Sequence, residues 1–193
     1  MVTIRHERPA DAVARDALLD AALGAARFTK TAEGLRDGRL PADGLSFVAC
    51  ERGKLVGTVR LWNVSAGPGR PALLLGPLAV ASEWRNRGVG AGLVRHALAA
   101  ATARCHTAVL LVGDAPYYAR FGFRAEKTAD LWLPGPYERD RLLACELRAG
   151  ALDGARGLIG ATGRPAPKPD FAALVTRLAD DDITAVARAA RVS

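Results

Sequence analysis

Trp84-Arg85-Asn86-Arg87-Gly88-Val89-Gly90-Ala91-Gly92 lies between an apolar run, Leu73 to Val80, and a helical pattern that continues to about Arg104. Two arginines and three glycines at the mouth of a helix make a site for phosphate. Glycine lets backbone N–H groups turn inward and approach a ligand closely. The first turn of the helix adds unpaired donors and the positive end of its dipole. Arg85 and Arg87 add charge that is not lost near neutral pH. The helix, expected over about Val89 to Ala103, carries an apolar stripe of Val89, Leu93, Ala97 and Ala100.

The run before the loop is apolar at nearly every position, as a strand buried on both faces would be. Gly76-Pro77 interrupts it. Proline cannot donate to a sheet ladder, so the strand is expected to bulge and splay from one neighbour. The splay leaves free backbone groups against which an extended ligand can add like a strand.

Working outward, Val2 to Ile4 reads as a short strand. Ala10 to Leu23 reads as a helix with Val13, Ala17, Leu18, Ala21 and Ala22 on its apolar face, capped by Asp11 and ended by Gly24. A short helical piece is expected around Ala32 to Asp37. Leu45 to Cys50 and Lys54 to Val64 form a hairpin about Arg52-Gly53. Thr107 to Val112 is a strand and Ala115 to Arg120 a helical turn or two. Phe121 to Lys127 and Leu142 to Arg148 are expected as final, antiparallel strands. Residues 149–169 read as a Gly/Pro-rich connector, with 163–169 an extended strap. Residues 170–193 read as a helical extension: Asp170 caps a helix, Phe171 to Ala190, that can pack on its own domain, on a second copy of the chain or on another protein.

A chain of 193 residues suits one ordinary domain with an appendage, and half of it is hydrophobic, enough for a sizeable core. No window of 18 uninterrupted apolar residues suggests a membrane span, and the N-terminus lacks a signal-peptide core. Cys50, Cys105 and Cys145 are scattered, have no metal-ligand spacing and are expected as buried thiols. His6, His96 and His106 are isolated, so no metal is expected. The setting these features imply is cytoplasmic. The net charge of +7 is spread without a run of five like charges. That argues against nucleic acid and suits a small polyanion.

The loop resembles the (Arg/Gln)-x-x-Gly-x-(Gly/Ala) motif of the GCN5-related N-acetyltransferase (GNAT) superfamily, read here as Arg85-Asn86-Arg87-Gly88-Val89-Gly90 after the broken strand Leu74 to Val80. A second signature of that family, an aromatic-Tyr-x-x-x-Gly-Phe run, is matched by Tyr117-Tyr118-Ala119-Arg120-Phe121-Gly122-Phe123. Gly113-Asp114-Ala115-Pro116-Tyr117-Tyr118 is similar to the YhbS-like bacterial subgroup. The resemblance covers residues 2–148, expected as one acyltransferase domain. It implies an α/β fold: a mixed, mostly antiparallel sheet with a central splay, and helices on both faces. It also implies acetyl-CoA, or another acyl-CoA, as donor and an amine acceptor, a small molecule or a protein. By it, residues Arg85, Asn86, Arg87, Gly88, Val89 and Gly90 bind the pyrophosphate. The main chain of Leu78, Ala79 and Val80 meets the pantetheine and the developing oxyanion. Tyr118 protonates the departing thiolate, and Tyr117 is the packing aromatic.

Other readings stay open at this point. A GNAT-like domain can bind or sense acyl-CoA without turnover, and no carboxylate stands out as general base among Asp114, Glu126 and Asp130. Gly88-Val89-Gly90-Ala91-Gly92 also invites comparison with a dinucleotide loop. That fingerprint wants G-x-G-x-x-G directly after a strand, and position 93 is Leu. No G-K-[ST] follows, which disfavours a P-loop NTPase.

Overall fold

In the computed structural model, which describes residues 1–167, eight strands form one sheet. They are β1 (Thr3–His6), β2 (Ser46–Glu51), β3 (Lys54–Ala66), β4 (Pro71–Val80), β5 (Ala108–Val112), β6 (Leu131–Trp132), β7 (Leu142–Glu146) and β8 (Gly157–Ala161). The main path runs β1-β2-β3-β4-β5-β7, and β8 joins β6 to β3. Neighbours are antiparallel except β4 with β5 and β6 with β8. The sheet is therefore mixed and mostly antiparallel, as the resemblance implied.

Alternation along the central strands sorts side chains to two cores. Leu73 and Leu75 of β4, Val109 and Leu111 of β5, and Leu143 and Cys145 of β7 face α3 (Val89–Ala103), whose Val89, Leu93, Val94, Ala97 and Ala101 are buried against them. Leu74, Leu110, Leu142 and Ala144 face the other way. They meet Trp62, the short helix α2 (Thr31–Gly34) and the chain from Leu131 to Ile159. Strand β4 is thus buried on both sides, which is why its sequence shows no polar alternation.

Four expectations need correction. In α1 (Ala12–Leu23) the buried residue is Leu19, while Val13 is 83% exposed and Ala17 and Ala21 are exposed too. The inward stripe includes Arg15, which pairs with Glu7, itself paired with Arg60. A buried ion cluster replaces apolar contact there, and hydrophobicity alone misplaces the face. Phe121 to Lys127 is not a strand: Gly122 turns at φ +87°, and only Arg124 bridges Ala144 of β7. The 149–169 stretch is more than a connector, because β8 lies within it. β8 takes up the part of β3 that β2 does not reach, pairing Val64, Ser65 and Ala66 with Ala161, Gly160 and Ile159. Cys50 and Cys145 are buried as expected, but Cys105 is exposed in the left-handed turn after α3.

Beyond β8 the chain does behave as a strap. Arg164 O accepts from Leu40 N, Ala166 N donates to Gly38 O, and Pro165 bridges Arg39. The helix expected over Phe171 to Ala190 and its Asp170 cap lie outside the described residues.

Candidate active site

β4 and β5 pair at only two positions, Leu73 with Val109 and Leu74 with Leu110. Past these, Gly76 and Pro77 bulge from β4 opposite Arg60, and the register with β3 shifts by one residue. Gly76 sits at φ +129°, which only glycine adopts without strain. Its carbonyl accepts a 2.6 Å hydrogen bond from the buried Trp62 indole. That bond holds the bulge from below. After it, Leu78, Ala79 and Val80 pair with β3 again, while their other edge has no strand partner among the described residues. Ala81 N donates to Val56 O of β3, so by strand alternation Ala79 N–H points the same way. The N–H groups of Leu78 and Val80 then face the open cleft.

The glycine loop stands at the end of that edge. A 3-10 turn, Ser82–Trp84, leads to Asn86 at φ +60° and to Gly88, the N-cap of α3, at φ +78°. Among the described residues no side chain caps the helix, and its first internal bond is Gly92 N to Gly88 O. The amides of Val89, Gly90 and Ala91 therefore point out of the N-terminus without partners in the helix. Arg85, Asn86 and Arg87 are exposed around them, with the Arg87 guanidinium 5.1 Å from the Trp84 ring centre. A helix N-terminus of this kind can receive an anion.

Tyr118 comes from α4 (Ala115–Ala119), which follows β5. Asp114 caps that helix by accepting from Tyr117 N. Gly113 is what admits the tyrosine: a Cβ there would lie 2.3 Å from the Tyr118 ring. Burial, with the neighbouring Tyr117 second, pushes the Tyr118 hydroxyl up to about 12, and Arg141 pulls it slightly back. Tyr117 does more than pack. Its hydroxyl reaches the first turn of α3, where a Cβ on Gly90 would sit 3.1 Å from it. Sequence reasoning missed that contact, although the absence of a side chain at position 90 is its signature.

A cavity of about 400 Å³ opens where β4 and β5 part. Leu75 to Leu78 form one wall and Val112, Gly113 and Tyr118 another. The rest comes from residues 23–36 and 133–141, clasped together by the Thr31 hydroxyl donating to Pro136 O. Arg36 lines it, as do Tyr137, Glu138 and Arg141, which were not assigned from sequence. Of the three candidate bases only Asp114 reaches the cavity; Glu126 and Asp130 are exposed elsewhere. The expected site is thus brought together: Leu78 and Tyr118 line the cavity, and Arg85 to Gly90 stand at the far end of the bare β4 edge. His6 and His96 flank the Phe47 ring and take no part. Among the described residues no group of three His, Cys, Asp or Glu could hold a metal, and no helix is long and apolar enough to cross a membrane.

Residues 42–125 match the family model for an acetyltransferase (GNAT) domain. The chain is 32% identical over 159 residues to the uncharacterized N-acetyltransferase YhbS of Escherichia coli K12, covering 81% of this chain and 93% of that protein. The crystal structure of E. coli YhbS in complex with CoA superposes with a TM-score of 0.71 at 30% identity, over 83% of this chain and 89% of that one. A GNAT acetyltransferase from Brucella melitensis in complex with acetyl-CoA gives 0.55 at 28% identity, over 79% and 99%. From the bulged β4, the glycine cradle and these relatives together, the chain belongs to the GCN5-related N-acetyltransferase family.

Proposed function

We propose that this protein transfers an acetyl group from acetyl-CoA to an amine by direct attack. The observation that carries the reading is the convergence at one splay of an uncapped helix N-terminus, an unpaired β4 edge and Tyr118. The CoA and acetyl-CoA complexes of the two relatives support it. The pyrophosphate would accept from the amides of residues 88–91, with Arg85 and Arg87 adding charge. The pantetheine amides would add along Leu78 to Val80 as an extra strand. The acceptor amine attacks the thioester carbonyl in its uncharged form, giving up one proton to solvent. An N–H of the Leu78 to Val80 edge would stabilise the oxyanion. The C–S bond then breaks, and Tyr118 gives its proton to the leaving thiolate.

One observation favours a second reading, acyl-CoA binding without turnover. Asp114, the one candidate base in the cavity, is committed to capping α4. A single experiment separates the two. Acetyl-CoA should raise the melting temperature, by about 2.7 kcal/mol of stability at a hundred times Kd. An amine panel should then release free thiol. Stabilisation without thiol release from any amine establishes the binding reading; NAD stabilising in place of acetyl-CoA removes both.

A further inference from the structure

Arg36 follows α2 and lies on the open side of Gly76, where its Nη2 would sit 3.3 Å from a Cβ at that position. Its side chain is 12% exposed and lines the cavity. Guanidinium carries five N–H donors in a rigid fork. One, Nη1, reaches Glu33 at 2.7 Å. Nε is fully buried and finds no partner among the described residues. A buried donor left bare is costly, and more so on a charged group. Burial also pulls the guanidinium below its ordinary value, against Glu33, so one carboxylate does not fully offset its desolvation.

The other acids of the lining are engaged elsewhere. Glu138 is paired with Arg141, and Asp114 caps α4. Lys30, also in the lining, has no described ion pair. What remains is a cationic corner at the bulge, two residues along β4 from Leu78. Two strand residues span at most about 6.6 Å, and less across a bulge. A planar carboxylate held by the guanidinium fork would therefore place an amine a few bonds away within reach of the thioester.

We propose that the acceptor is an amine that also bears a carboxylate, an amino acid in the broad chemical sense, and that Arg36 selects it by binding that carboxylate. The inference rests on the acetyl-transfer reading and narrows its acceptor. Arg36 is a specificity residue, since it meets the acceptor away from the reacting atoms.

The test compares the twenty amino acids, each with its carboxamide, and simple alkylamines. The full chain is used, with free-thiol release from acetyl-CoA as readout. The same pairs are titrated calorimetrically into the protein without acetyl-CoA. At least one amino acid should exceed its carboxamide by about 10–100-fold in kcat/KM, the effect of one charge-assisted contact, and in affinity. Arg36→Gln should abolish that preference, through KM, while leaving turnover of the carboxamide within a few-fold. The titration stands without acetyl-CoA, so a failed donor reading and a failed acceptor reading are told apart. Should Arg36→Gln not fold, the wild-type pairs decide alone. Carboxamides or alkylamines that equal every amino acid in turnover and in binding overturn the proposal, as does a preference that survives Arg36→Gln.

Discussion

Gly113 and Tyr118 act as a pair. The ring lies where a Cβ on residue 113 would be, so glycine there is a condition for the tyrosine's position at the cavity. The hydroxyl, pushed up to about 12 by burial, keeps its proton through the whole range in which proteins are assayed. That is the state a proton donor needs. Tyr118→Phe is expected to lower kcat by ~10–10³-fold with KM for acetyl-CoA within a few-fold. Its sign with pH follows: a raised pKa extends the protonated form upward, so wild-type kcat should show no decline at any pH below about 10. A descending limb under that pH that vanishes in Tyr118→Phe would show the phenol ionising too early for this role. Tyr118 was legible because it stands in a motif with Gly122 and Phe123. Tyr137, Glu138 and Arg141 were not, because no spacing links them to it. They meet only after residues 31 and 136 are clasped across the fold.

Strand β4 is the element in which sequence and structure agree most closely. Its double-sided burial, its Gly76-Pro77 break and the loop after it each dictate one consequence, and all three are present. The sequence did not disclose what fixes the bulge. Trp62, on β3, donates to the Gly76 carbonyl, and nothing in its local pattern marks it as a strut. Trp62→Phe keeps most of the apolar ring and leaves that buried carbonyl bare. We expect a loss of about 1–3 kcal/mol in denaturant unfolding. Weaker acetyl-CoA binding should accompany it, because the β4 edge that would hold the pantetheine starts at this bulge. Unchanged stability together with unchanged affinity would show that the bulge stands without Trp62. α1 was misread for a related reason: its inward face is set by the Glu7, Arg15 and Arg60 cluster rather than by apolar periodicity.

The molecule as a whole reaches past the 2–148 stretch that the resemblance covered. β8 was invisible in the sequence because Gly157-Leu158-Ile159-Gly160-Ala161 has little strand propensity of its own. It forms because β3 outruns β2 and offers an unpaired edge at Val64 to Ala66. The edge is extended by β6, in parallel register with β8, and the strap of residues 163–167 then ties the chain to residues 38–43. Those residues continue from Arg36, so the strap is anchored beside the wall of the cavity. Ending the chain at Gly150 removes all of this. It strips Ile159, 1% exposed, and Leu152, 7% exposed, from one of the two cores. At ~1.5–3 kcal/mol per buried side chain the loss is roughly 3–6 kcal/mol, a large share of the ~5–15 kcal/mol that holds a domain together. It also bares a β3 edge open to pairing with other chains. Residues 1–150 are therefore expected to melt far below the full chain and to aggregate on concentration, although every residue of the glycine cradle and Tyr118 is retained. Melting and sedimentation of the two forms side by side check this. Equal melting temperatures and equal sedimentation would mean that β8 adds nothing to the sheet it joins.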